Sequence, residues 1–193
     1  PPSATRVCGQ RKAFSDEAES RPMDGYHERQ KLLRCAQHSL NNLLGGPIFD
    51  AESLDALALQ CGSALSFAHR WPILGNHDVN VVMLALQHEG LEVQWFDARQ
   101  GTDTLCNIAA DSLGILLNIR SYRLGFLPTR HWLAIRHDGK NVGCAQDAHW
   151  FEHDSNQKEP LALTNCSFRE RMSKLLRESD AQVLIITRAL RPG

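Results

Sequence analysis

Hydrophobic residues in the first half of the chain recur at helical spacing. After Cys35 they form one stripe that ends at Gly45-Gly46-Pro47, which predicts a helix closed by a glycine and a proline. That stripe consists of Ala36, Leu40, Leu43 and Leu44. A second helix is expected over residues 51–61, after Asp50 as N-cap, and a third from about residue 78 to 90. Residues 62–77 mix Ser, His, Trp-Pro and Gly-Asn, which predicts a loop or a short helical arm.

In the second half the apolar residues take the spacing of strands. Leu91, Val93 and Trp95 alternate with polar residues, and a turn is expected near residues 99–101. Further strands are expected at 113–119, 131–136, 149–154 and 181–187, with a helix at 167–177. Ser167 and Glu170 predict a capping box for that helix, and Asp138-Gly139 predicts the turn between two of the strands.

Helices first and mainly strands afterwards predict a single α+β domain. We expect the N-terminal helices to pack on one side of a mostly antiparallel sheet, within residues 25–190. Residues 1–24 are polar and lack periodicity, so they are expected to form a flexible arm.

Composition excludes several classes of function. The 193 residues are 42% hydrophobic and 22% charged, as in a globular domain with one core. The formal net charge is -1, without the basic excess of a nucleic-acid or membrane-surface binder. No apolar run reaches the ~18 residues that span a bilayer. Six widely spaced cysteines without a CxxC pair favour reduced thiols, and therefore a cytoplasmic or nuclear location.

Cys35 is the first candidate for chemistry. It lies at the predicted start of a helix, where unpaired N–H groups and the helix dipole favour a thiolate. Arg29, Lys31 and Arg34 add positive charge nearby. A thiol in this setting is a candidate nucleophile, although a free cysteine is more often a small buried hydrophobic residue.

A thiol nucleophile needs an imidazole, and the imidazole needs a group to orient it. His131 begins a predicted strand after the 127–130 loop, a rigid place for a base. Asp154, on the returning strand, could fix its tautomer, although the pattern alone favours a turn residue at the end of a strand. His38 lies on the same helical face as Cys35 and could be its partner, although a helix-face histidine near a core is more often structural. Six other histidines lie in polar or turn-like contexts and are expected to be solvated: His27, His69, His77, His88, His137 and His149.

A metal site is the competing chemical interpretation. Cys35 with His38 could supply two ligands, and Cys144, His149 and His153 could supply more. Structural zinc sites usually combine two closely spaced ligand pairs, and no second matching pair is present. We therefore expect neither a metal nor a cofactor.

The chain resembles a known family in several blocks that occur in the same order. HERQKLLRCAQHSLNNLL (27–44) resembles the signature of the Josephin family, cysteine deubiquitinases with a papain-like fold. GNHDVNVVMLALQHEGLEVQWFD (75–97) resembles its second block, and LGILLNI followed by HWLAIR its third. The resemblance covers roughly residues 26–188. It is closer to the short Josephin proteins than to the ataxin type, since no ubiquitin-interacting helix or polyglutamine tract follows.

The resemblance implies a role for each of four residues. Cys35 matches the nucleophile and His131 the catalytic histidine. Asp154, before Ser155, matches the third member in an Asn-Leu-Asn/Asp-Ser motif, and Gln30 matches the oxyanion-hole glutamine. Gln30 and a backbone N–H at the helix start could together stabilise an oxyanion.

The chain departs from the family pattern next to Asp154. Glu152-His153 replaces Asn-Leu, and about eight extra residues lie around 142–149. Such an insertion can lengthen a hairpin harmlessly, or shift Asp154 by one residue and turn its side chain to the other face. The position of Asp154 is therefore open at this point.

The resemblance implies a monomeric protease that hydrolyses the peptide or isopeptide bond after the C-terminal glycine of ubiquitin. Ubiquitin and ubiquitinated proteins would be its partners, and the 62–77 arm would face ubiquitin and could gate the cleft. Two alternatives stay open. One is a ubiquitin-binding module with weak or no turnover, and the other is a different thiol enzyme, such as an acyltransferase.

Overall fold

In the computed structural model, most helices lie in the first part of the described chain and most strands of the main sheet in the second. The structure describes residues 25–32, 34–61, 70–71, 76–77, 79–123, 126–137, 148–178 and 180–189. The helices are α1 (Cys35–Leu44), α2 (Ala51–Cys61), α3 (Val79–His88), α4 (Gly101–Ala110) and α5 (Asn165–Glu178). The strands are β1 (Arg70–Trp71), β2 (Asn76–His77), β3 (Leu91–Phe96), β4 (Gly114–Arg123), β5 (Leu127–His137), β6 (Ala148–His153), β7 (Leu161–Thr164) and β8 (Gln182–Arg188).

Several predictions fall outside the described residues. These are the arm at 1–24, the Asp138-Gly139 turn, most of the extra residues around 142–149 and most of the 62–77 arm. Within that last arm, the described pieces are β1 and β2, which pair antiparallel in a two-stranded sheet.

The main sheet has six strands in the order β3-β8-β4-β5-β6-β7, and every neighbouring pair is antiparallel. The predicted α+β class with a mostly antiparallel sheet is therefore confirmed. The long central strands β4 and β5 pair along ten positions from Gly114↔Arg136 to Arg123↔Leu127.

Helices cover both faces of this sheet: the N-terminal helices lie on one face, as expected, and α4 and α5 cover the other, which was not expected. Alternate residues of β4, β5 and β8 point to opposite faces, as the two-residue period of a strand requires. One set packs with α1, α2 and α3 and includes Leu116, Trp132, Ala134, Leu184 and Ile186. The other packs with α4 and α5 and includes Ile115, Leu117, Leu133, Ile135, Val183 and Ile185.

Two elements were missed because their apolar signal is small. In α4 the fully buried residues are Leu105 and Ala109, and its first residue, Gly101, was interpreted as part of a turn. In the edge strand β7 one residue of four, Leu163, is buried.

Two local predictions are also corrected. Residues 127–130 are strand rather than loop, since the β4–β5 pairing extends past His131 to Leu127. The cap of α5 is Thr164, not Ser167: the Thr164 hydroxyl accepts from the Ser167 N–H at 3.2 Å, so the helix begins two residues earlier than expected.

Helix α1 packs closely against the centre of the sheet. Its apolar stripe is buried as predicted, and Gly45 ends the helix in the left-handed conformation with φ 71°. A Cβ at Gly114 would lie 2.5 Å from the Ile135 carbonyl oxygen and 2.7 Å from Leu43 Cδ1. Glycine at this position therefore allows the C-terminal end of α1 to approach β4 and β5.

Candidate active site

Cys35 is the first residue of α1 and is 5% exposed. Its side chain hydrogen-bonds the imidazole of His131, which belongs to β5. Arg34, the residue before the helix, contributes no side-chain cap. The sulfur therefore lies at the positive end of a helix dipole, in contact with a base.

Asp154 follows the last residue of β6 and lies beside the same imidazole. Its Oδ1 is 2.8 Å from His131 Nε2. In the β5–β6 register Ala134 pairs with His153. Asp154, the next residue, therefore lies close enough along β5 for its carboxylate to reach His131. The extra residues before β6 thus leave Asp154 within hydrogen-bond distance. Because Nε2 serves Asp154, the ring nitrogen available to Cys35 is Nδ1.

The charges of this pair support each other. Burial by itself lowers the pKa of His131, but its hydrogen bond to Asp154 and then its hydrogen bond with Cys35 raise this pKa to about 9. Burial raises the pKa of Asp154, yet the His131 hydrogen bond and the Asn156 N–H bring it below its usual value. The site therefore favours an imidazolium facing a carboxylate at neutral pH.

Gln30 lies on the segment before α1 and is tied to the loop that carries Asp154. Its backbone N–H donates to the Ser155 carbonyl at 2.7 Å, and the buried Ser155 hydroxyl donates to Gln30 Oε1 at 3.2 Å. One N–H of the Gln30 amide donates to the Leu32 carbonyl at 3.0 Å. The second N–H is the one that could serve an oxyanion. The structure thus joins Gln30 to Ser155, the residue next to Asp154.

The segment with Gln30 is fixed to α1 by Glu28. Asn42 accepts from the Glu28 N–H at 2.5 Å and donates to its carbonyl at 3.1 Å. Asn41 donates to the Glu28 carboxylate at 2.7 Å, and His38 Nδ1 lies 3.0 Å from the same carboxylate. His38 Nε2 accepts from the Lys31 N–H at 3.0 Å. These contacts give His38 a structural role, one of the two roles considered from the sequence.

The anchoring role of Asn41 and Asn42 was missed from the sequence. Both are almost fully buried, at 1% and 0% exposure, within a helix whose other buried face is apolar. A buried amide must find hydrogen-bond partners, so an Asn-Asn pair in an apolar helix is a signal that polar backbone packs there.

His27 and His153 form a second connection between the two segments. Their Nδ1 atoms are 3.3 Å apart, and His27 Nε2 lies 3.1 Å from the Gln157 carbonyl. His27 is half-buried here, so the expectation that it is solvated was wrong. Burial, then the charges of Arg136 and His27, lower the pKa of His153 to about 3.

No metal centre is formed by the residues that the structure describes. They contain no group of three or more His, Cys, Asp or Glu side chains placed to hold an ion. The zinc candidates Cys144 and His149 lie outside the described side chains, and His153 contacts His27 instead. Among the described residues, Cys35, Cys61, Cys106 and Cys166 form no disulfide.

The geometry brings Cys35, His131 and Asp154 together and joins Gln30 to the same loop, while their catalytic roles stay predictions. The sequence was also compared with known proteins. The Josephin family profile matches residues 30–187. Mouse Josephin-2 is 36% identical over 76% of this chain and 77% of its own length.

Two further relatives are similar to this chain over most of its length. A Drosophila melanogaster Josephin-like protein is 34% identical over 83% of this chain and 73% of its own length. The human Ataxin-3-like protein is 26% identical over 80% of this chain and 44% of its own length. The resemblance noted from the sequence is thereby confirmed, and the higher identities belong to the Josephin and Josephin-like proteins.

Proposed function

The chain belongs to the Josephin family, whose domain is of the deubiquitinase type, and from that premise we propose that it is a deubiquitinating cysteine protease. Its reaction would be hydrolysis of the peptide or isopeptide bond after the C-terminal glycine of ubiquitin. The observation that carries the proposal is the alignment of a thiol, an imidazole and a carboxylate at Cys35, His131 and Asp154.

In the first half of the reaction the Cys35 thiolate attacks the carbonyl carbon of the terminal glycine. The negative charge that develops on the carbonyl oxygen would be stabilised by the second N–H of Gln30 and a backbone N–H at the start of α1. The C–N bond then breaks, and His131 gives its proton to the leaving amine. The product that stays on the enzyme is a thioester between Cys35 and the ubiquitin glycine.

In the second half a water molecule attacks the thioester, and neutral His131 takes one of its protons. The C–S bond breaks, the Cys35 thiolate forms again beside the imidazolium, and ubiquitin leaves with a free carboxylate. Asp154 holds the ring with Nε2–H toward itself, so that Nδ1 faces the sulfur throughout. The ubiquitin tail ends in glycines, so the cleft over Cys35 should be narrow.

The alternative is a ubiquitin-binding module with weak turnover. The observation that favours it is the low exposure of Cys35, 5%, because turnover requires a substrate carbonyl to reach the sulfur.

We further propose that the catalytic domain extends over residues 25–190 and acts as a monomer on ubiquitin and ubiquitinated proteins. In the part of the chain that the structure describes, every helix is too short or too polar to cross a membrane.

The experiment is reaction with ubiquitin that carries a thiol-reactive electrophile at its C-terminus, followed by intact mass measurement. We expect one ubiquitin adduct on the unmodified chain and none on Cys35→Ala. Cys166→Ala is the matched control, because Cys166 is an exposed thiol that should not be needed for the adduct. A folded protein that binds ubiquitin yet forms no adduct would support the binding module instead.

A further inference from the structure

Asn156 touches both members of the His131–Asp154 pair. It lies two residues after Asp154, and its backbone N–H donates to Asp154 Oδ1 at 2.9 Å. The nitrogen of its side-chain amide, Nδ2, is 3.2 Å from His131 Nε2, the ring nitrogen that also faces Asp154. The family motif described above ends at Ser155 and assigns nothing to Asn156.

Counting protons determines which end of the amide faces the ring. The Asp154 carboxylate accepts from Asn156 N–H and stays ionised, so the proton between Asp154 and His131 must be on Nε2. A nitrogen that already carries a proton cannot accept from an amide N–H. The Asn156 carboxamide therefore presents its oxygen to Nε2, after a half-turn that exchanges its oxygen and nitrogen.

We propose that Asn156 is a second positioning residue for His131, whose amide oxygen shares the Nε2 proton with Asp154. The inference rests on the proposed function, since it assigns a role within the same site. Asn156 is exposed, and its amide occupies a place from which water would otherwise compete for the ring proton. The ring is thereby held with Nδ1 toward Cys35 by two acceptors rather than one.

The two acceptors have different charges, which gives the proposal a distinct signature. A neutral amide oxygen stabilises the imidazolium less than a carboxylate does. The charged groups that act on this ring are Asp154 and Cys35, with Arg171 acting on Asp154. Removing the acceptor at residue 156 should lower the pKa of His131, and replacing it with a carboxylate should raise that pKa.

The test measures ubiquitin-amide hydrolysis against pH for Asn156→Ala and Asn156→Asp. For Asn156→Ala we expect kcat to fall about three- to tenfold at unchanged KM, the size of one neutral hydrogen bond. The alkaline limb of its profile should move down by about half a pH unit, and that of Asn156→Asp should move up. Lys158→Ala, an exposed residue of the same loop, is the matched control.

A double-mutant cycle sharpens the result. With Asp154→Ala the amide of Asn156 is the acceptor left on Nε2, so adding Asn156→Ala should cost more than it does in the unmodified chain. Equal costs in the two backgrounds, or identical losses for Asn156→Ala and Asn156→Asp without opposite pH shifts, would indicate a loop-structural role and overturn the proposal.

A second readout separates this proposal from the proposed function. NMR titration of the His131 ring nitrogens reports its pKa without turnover. The proposed function fails if the unmodified chain neither reacts with the ubiquitin electrophile nor hydrolyses the ubiquitin amide. The Asn156 proposal would still stand if the two variants moved the His131 titration in opposite directions, and would fail if neither moved it.

Discussion

His131 and His153 are both buried, at 8% and 1% exposure, on the neighbouring strands β5 and β6, yet their pKa values move in opposite directions. His131 meets a carboxylate and a thiol, which outweigh burial and raise its pKa to about 9. His153 meets Arg136 and His27, which add to burial and lower its pKa to about 3. The sign of the neighbouring charge, rather than burial, separates a candidate catalytic histidine from a structural one.

The largest expected effect comes from breaking the first member of the comparison. His131→Gln should lower kcat by about a thousandfold, because the site loses the group that moves the proton. Steady-state hydrolysis of a ubiquitin C-terminal amide measures this change. His88→Gln, at an exposed position at the end of α3, is the control and should keep full turnover. A His131→Gln variant with more than a tenth of the original kcat would contradict the assignment.

Asp154→Ala should lower kcat by about a hundredfold and leave ubiquitin binding intact, because the ring loses its orienting carboxylate. Since Asp154 raises the pKa of His131, the alkaline limb of the pH–rate profile should move from near pH 9 to lower pH. The kcat of Asp154→Asn should lie between those of the unmodified chain and Asp154→Ala, because an amide oxygen keeps a hydrogen-bond acceptor but not the negative charge. Glu159→Ala, an exposed acidic residue of the same loop, serves as control; an unchanged alkaline limb in Asp154→Ala would exclude the pair.

His153→Gln tests the second member through stability. Unfolded chains bind a proton at this histidine below about pH 6.5, whereas the folded protein excludes it until about pH 3. The free energy of unfolding should therefore fall as pH decreases through this window, by up to about 1.4 kcal/mol per pH unit from this group. In His153→Gln that slope should be smaller between about pH 4 and 6. Urea unfolding at a series of pH values measures this slope. Any loss in the free energy of unfolding of His153→Gln near neutral pH reports lost packing. Identical slopes for the two proteins would contradict a buried neutral ring.

Ser155→Ala should have the smallest effect. When the Ser155 hydroxyl is removed, the Gln30 amide loses the hydrogen bond at Oε1 that fixes its orientation. The kcat should therefore fall about threefold to tenfold. In a Gln30→Ala background, Ser155→Ala should cost little further, since the two residues act as a unit. Additive losses in kcat would show that Ser155 acts separately from Gln30.

The sequence predicted the elements that carry strong apolar patterns. The stripe after Cys35, the runs of β4 and β5, and the final strand all lie where expected, because burial of one face imposes the period. Helix α4 and strand β7 were not predictable in the same way, since each buries few residues. The second helical layer was missed for the same reason, because α4 forms half of that layer.

Pairwise geometry explains what the pattern could not predict in the site. His153 differs from His131 through Arg136 and His27, and His27 is 126 residues away in sequence. Asn156 and Glu28 are of residue types that are common on protein surfaces, so the sequence does not single them out. Their roles come from the atoms that they contact after folding. Asp154 was found through the family motif, whereas its distance to His131 depends on a strand register that the insertion left open.

Strand β8 lies between β3 and β4, although it is the last element along the described chain. While the protein is being synthesised, β3 and β4 leave the ribosome without the strand that joins them, and the sheet under α1 stays incomplete. Non-local pairing of this kind folds late. A nascent chain would therefore carry Cys35 before the sheet beneath α1 is complete, so the candidate site forms only when synthesis has passed residue 188.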